Sequence, residues 1–159
     1  MDTPSGDAQV LYKARVCFDQ GDYVCAAKYY ALLSSASADI SYSEGAFQTV
    51  AQAGGGAGPF VDSVISAGSN GGKLITKLGG YLYANAGETT RLNLLHAYQK
   101  AFSITNTKTQ GLVQFITAVS LVAELLAETA DTNGIVEQSD IVQNPTACLA
   151  AEGTGFNVT

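Results

Sequence analysis

The stretch "AQVLYKARVCFDQGDYVCAAKYYALL", residues 8–33, constrains the fold more than any other part of the chain. Its first half places apolar side chains at Val10, Leu11, Ala14, Cys17 and Phe18, the three-and-four spacing of one helix face. Gln20, Gly21 and Asp22 break that pattern, and Asp22 is a good N-cap for a second run in which Ala26, Tyr30 and Leu33 again share a face. Two helices joined by so short a turn must lie antiparallel and pack. Cys17 and Cys25 flank the turn, eight residues apart. Packed antiparallel helices bring Cα atoms within bridging distance near a shared turn, so a disulfide is expected, with two reduced, buried thiols as the alternative.

On these residues the segment resembles a tetratricopeptide repeat. Ala14 matches the small residue of that family's first helix. Gly21, Asp22 and Tyr23 match its turn, and Ala26 and Tyr30 match the small residue and the aromatic of its second helix. Val10 stands where the family usually has Trp, and its final Pro is absent. The pattern has a physical sense: small residues let two helix backbones approach, and the aromatic fills the groove between successive hairpins. The resemblance implies a concave wall made by the first helices of the hairpins. Carried over residue by residue, it gives Leu11, Arg15 and Phe18 in the first hairpin, then Tyr42, Thr49, Gln52, Thr76 and Tyr83 in the next two, as partner-binding positions.

A period near 34 residues is sought in any such array. Turn glycines recur at Gly21, Gly55 and Gly87, followed by Ala26/Tyr30/Leu33, Phe60/Val64/Ala67 and Leu94/Tyr98/Ala101. The expected fold is all-α: three hairpins over 8–35, 39–67 and 73–103 stacked as a short tetratricopeptide-like superhelix, a long buried helix over 111–130, and an irregular tail over 131–159 containing Pro145. All belong to a single domain. The second and third hairpins are degenerate, since "GGGAG" at 54–58 is too rich in glycine for a tight turn and Gly79–Gly80 weakens a helix.

Charge narrows the functional classes. Only 14% of the 159 residues are charged and the net charge is −6. Eight scattered basic residues cannot build the cationic footprint that nucleic acid requires. The neutral surface of Ala, Gly, Ser, Thr and Asn repels a copy of itself weakly. The most apolar run, "GLVQFITAVSLVAELLAETA", is interrupted by Gln114, Thr117, Ser120 and Glu124 and reads as a buried helix rather than a membrane span. The opening "MDTPSGDAQ" lacks the pattern of an export signal, so the compartment is read from the cysteines, which favour an oxidising, extracytoplasmic location. Cys148 is the odd one, free or bonded to another subunit.

No residue set points to a reaction. His96, the single imidazole, has no nucleophile placed beside it by sequence and reads as a partly exposed helix position. Glu124, Glu128 and Asp131 align on one helix face and read as a solvated stripe. "GSNGGKL" at 68–74 echoes a phosphate loop but has Leu74 where magnesium needs Ser or Thr. A calcium loop over Thr129–Asp140, with Asp131, Asn133, Glu137 and Asp140 as ligands, resembles a dockerin or EF-hand loop but lacks its first Asp, so a plain Asn-Gly turn is the expectation. "NVT" at 157–159 fits a glycosylation sequon weakly. With no metal, cofactor, small-molecule substrate or enzymatic activity implied, the expected function is a structural or interaction protein. It acts through protein contacts and assembles with copies of itself into an oligomer or filament. The alternative is a monomeric adaptor that binds an extended peptide along its concave face.

Overall fold

The computed structural model describes residues 5–54 and 56–130. Among them it is all-α, with seven helices and no strand: α1 (Asp7–Asp19), α2 (Tyr23–Tyr30), α3 (Ala38–Gly54), α4 (Ala57–Ala67), α5 (Gly71–Leu82), α6 (Glu88–Ala101) and α7 (Thr107–Thr129). The calcium-loop residues from Asp131 onward, Cys148, the sequon and Gly55 lie outside the described residues.

Local chemistry sets the helix ends. Gly21 turns the chain with φ 74°, and the Asp22 carboxylate then accepts the Cys25 N–H at 3.0 Å. Asn70 caps α5 by accepting from Lys73 N–H, so the segment that echoes a phosphate loop is a helix start. Asn106 caps α7 in the same way, which begins that helix four residues earlier than the apolar pattern suggests. In the other direction, α2 stops at Tyr30 rather than continuing to residue 35. The chain turns there, and Ser34 donates its N–H and hydroxyl to Asp7, tying the end of the hairpin to the start of α1. Asp39 repeats this device, accepting Thr105 N–H and hydroxyl and Asn106 N–H, and so fastens the α6–α7 loop to the start of α3. These bonds, first those from the Ser34 and Thr105 hydroxyls, hold both carboxyls below the usual carboxylate range.

The long helix α7 is the axis of packing. Its Ile116, Leu121, Ala123, Leu126 and Ala127 bury against Val50 and Ala53 of α3, Leu78 and Leu82 of α5, and Leu94 of α6. Thus α5 and α6, read from sequence as one hairpin, each pack principally on α7, and α5 also pairs closely with α4. The hairpin α1–α2 has its own small core of Ala14, Cys17, Ala26 and Tyr30, and α2 leans on α3. Ala14 and Ala26 are completely buried, which lets the two backbones approach.

One expectation is corrected by this packing. Glu124 and Glu128 do not form a solvated stripe: Glu124 is 0% exposed and Glu128 is largely covered. The start of α6 packs on that face of α7. Gly87 N–H donates to Glu124 Oε1 at 2.9 Å, and the buried Arg91 pairs with Glu128. Glu124 Oε2 has no hydrogen-bond partner among the described residues. Burial pushes the Glu124 carboxyl up to about 7, with Glu128 adding repulsion, against the opposing effects of the Gly87 bond and Arg91.

A raised folded-state value means that folding favours the protonated acid. The cost of Glu124 is therefore absent below the ordinary carboxylate range and grows as pH rises through it. It is complete above a pH of about 7. Glu124→Gln keeps an acceptor for Gly87 and removes the charge. It is expected to stabilise the fold by up to about 3 kcal/mol near pH 8 and by little near pH 5. Paired chemical denaturation curves at the two pH values check this; equal gains at both would show that the buried charge is not the cause.

Candidate functional site

An apolar cleft of about 500 Å³ lies between the α1–α2 hairpin and α3, α4 and α7. The hairpin contributes Phe18 to its wall, α3 Phe47, Val50 and Ala51, α4 Ala57, Phe60 and Val61, and α7 Ile116. Three phenylalanines and a small polar component make it suited to an apolar group. Phe47 and Val61 stand at the rim, 37% and 53% exposed.

Of the cleft's polar residues, Arg15, Tyr30 and Glu44 form one linked set, with Asp19 also in the lining. Arg15 donates from Nη2 to Glu44 Oε1 at 2.6 Å and from Nε to Oε2 at 3.1 Å, a two-pronged pair that spans from α1 to α3. The Tyr30 hydroxyl donates to the same Oε2 at 3.0 Å. Glu44 therefore ties both hairpin helices to α3 and fixes the width of the cleft. Burial and this bond raise the Tyr30 phenol well above its ordinary value, and the Glu44 carboxylate likewise raises the Arg15 guanidinium. Cys17 and Cys25 form a disulfide with Cα atoms 5.7 Å apart, bracing the hairpin that makes this wall.

The partner-binding positions implied by the repeat resemblance are divided by α3. Arg15 and Phe18 line the apolar cleft, with Leu11 part of the hairpin's own core. Tyr42, Thr49 and Gln52 lie on the opposite side of α3, in a polar groove of about 230 Å³ shared with Asn93, His96 and Lys100 of α6. Thr76 lines a shallow depression between α4 and α5 with Ser66 and Lys77, and Tyr83 is exposed in the 3-10 turn after α5. The structure does not gather these residues into one concave wall: they divide between the cleft, the groove between α3 and α6, and the outer surface around α5. The cleft residues Phe47, Phe60, Val61 and Ile116 were not singled out in the sequence as site residues. For Phe47 and Val61 the signal is an apolar residue left over once the helix's buried face is assigned; Ile116 and Phe60 belong to the main core and its margin, and nothing local marks them as cleft residues.

No group of three or more His, Cys, Asp or Glu side chains that could hold a metal ion occurs among the described residues. The helix α7 is long and apolar enough, by length and composition alone, to cross a bilayer, and half of its most apolar window is buried against the other helices. No family model matches the chain, and neither a curated protein nor a solved structure is significantly similar to it.

Two outcomes test this geometry. Replacing Cys17 and Cys25 by Ser is expected to cost about 2–3 kcal/mol, from the entropy of the short loop that the disulfide closes, as read from chemical denaturation. Tyr30→Phe should cost about 1 kcal/mol. In the unmodified protein the Tyr30 phenol should be the last to ionise in an alkaline titration followed by NMR; early ionisation would mean that its bond to Glu44 is not formed in solution.

Proposed function

We propose that the chain is an extracytoplasmic, tetratricopeptide-like structural or interaction protein that acts through protein–protein contacts and assembles with copies of itself. The observation that carries this reading is the apolar surface around the cleft. Phe47 and Val61 form its rim, and Val64 and Ile65 of α4 and Leu112, Phe115 and Val122 of α7 are exposed as well. Apolar side chains exposed around an apolar cleft support an interaction reading. The low charge content lowers the electrostatic cost of bringing two copies together. The Cys17–Cys25 disulfide is compatible with an oxidising compartment and supports the location outside the cytoplasm.

A second reading is a monomeric adaptor that holds an extended peptide. It draws on the polar groove, where Tyr42, Thr49 and Gln52 converge with Asn93 in a setting rich in amide donors and acceptors.

Light scattering on the full chain over a range of concentrations distinguishes the two. The self-assembly reading expects a mass above the monomer that rises with concentration. Phe47→Glu is expected to lower that mass while leaving the helical circular dichroism unchanged, because Phe47 is a rim residue. A wild-type monomer at high concentration leaves the adaptor reading in its place.

A further inference from the structure

Independently of self-assembly, we propose that the cleft is a site for a small hydrophobic amine, its apolar body among the phenylalanines and its ammonium group beside Asp19 at the end of α1. The volume of about 500 Å³ lies within the range of about 300–1,000 Å³ that small-molecule sites occupy. Phe18, Phe47 and Phe60 come from three different helices and give the cleft aromatic walls. A phenyl face packs an apolar body and also attracts a cation.

Charge selects the class of ligand. Arg15, Asp19 and Glu44 are the charged side chains in the lining. Arg15 and Glu44 neutralise each other through their two-pronged pair, which leaves the charge of Asp19 over. The Asp19 carboxylate is exposed and has no hydrogen-bond or ion-pair partner among the described residues. Asp19 is also the last residue of α1, whose final turn holds no basic side chain. The helix dipole is negative there, so a carboxylate at that end is unfavourable and a cation placed beside it relieves both. Its field reaches the polar set: burial and the Glu44 bond chiefly raise the Tyr30 phenol, and the Asp19 carboxylate adds to that rise.

Other occupants fit this charge less well. An anion meets the repulsion of both Asp19 and Glu44, and a neutral ligand leaves Asp19 unpaired. Residues 131–159 of the chain itself carry Asp131, Glu137, Asp140 and Glu152 and no Lys or Arg, so they would bring the wrong sign.

The test uses the full chain and three probes of one shape: phenylbutylamine, phenylbutanol and phenylbutyrate. Each is titrated near pH ~7, where the amine is a cation and the acid an anion, with the methyl signals of Val50, Val61 and Ile116 followed by NMR. Phenylbutylamine is expected to shift these signals and to bind roughly tenfold more tightly than phenylbutyrate, with phenylbutanol between them and the preference shrinking in about 1 M salt. Asp19→Asn is expected to weaken amine binding roughly tenfold and to leave phenylbutanol unchanged, whereas Asp19→Glu keeps the preference. Both variants alter an exposed side chain without a partner, and circular dichroism verifies that their helices are intact. Equal binding of the three probes, tighter binding of phenylbutyrate, or an amine preference that survives Asp19→Asn would overturn the charge assignment. A response confined to Thr49 and Gln52 would place the amine in the polar groove and overturn the site. Methyl signals that ignore all three probes but move on dilution of the protein alone would give the cleft to a second copy and overturn it as well.

Discussion

The need to cover α7 organises the rest of this molecule. From Thr109 to Ala123 the helix carries no charge, and a helix of that composition in water must find apolar neighbours on several sides. Val50 and Ala53 of α3, Leu78 and Leu82 of α5, and Leu94 of α6 supply them. A smaller core of Ala46, Ala97, Ala101, Ile104 and Val113 and polar bonds at the helix ends complete the covering. Asp39 holds the α6–α7 loop to α3, and Glu124 accepts the N–H of Gly87, the residue that caps α6. The α1–α2 hairpin does not reach this core. Its own core centres on Ala14, Ala26 and Tyr30, and it joins the body through α2 and the Arg15–Glu44–Tyr30 set. A cleft at that junction follows from two small cores meeting through a polar tie.

Glu124 shows what tight covering costs. The start of α6 packs so closely that a carboxylate on α7 loses its water and receives one backbone N–H in return. Such a group destabilises the fold when ionised, in proportion to its displaced pKa. It also gives Gly87, at φ 148°, an acceptor that a hydrocarbon side chain could not offer. The charge is thus a fixture of how α6 is started, and Arg91 with Glu128 beside it keeps the local field from being wholly negative.

Much of the secondary structure was legible because it depends on spacing within a short window. The apolar periods around Ala14, Ala26 and Leu94, the cap at Asp22 and the interruption at Gly21 are local signals, and helices occur where they point. The packing of α5 and α6 on α7 was not legible. It depends on which faces meet across the chain, and a repeat-like pattern of turn glycines says nothing of that. The same limit explains Glu124: a Glu on an apolar helix reads as solvated until the start of α6, some 37 residues earlier, is seen to lie on it. The cysteine pair was legible as one of two outcomes, because eight residues across a tight turn leave little freedom in where the sulfurs lie.

The helix α3 carries the functional division. Glu44, Phe47, Val50 and Ala51 face the apolar cleft, while Tyr42, Thr49 and Gln52 face the polar groove toward α6. One helix thereby separates a surface suited to apolar contact from a surface suited to hydrogen bonding. The two proposed modes, association with a copy and capture of an extended peptide, use different sides of the molecule and do not compete for residues. The Cys17–Cys25 brace and the Glu44 tie hold the hairpin that walls the cleft. The groove is walled chiefly by α3 and α6, held together by Ala46, Ala97 and Ala101, with Ala27 of α2 and Ala31 just after it at its edge, so loosening either tie should widen the apolar cleft more than the groove.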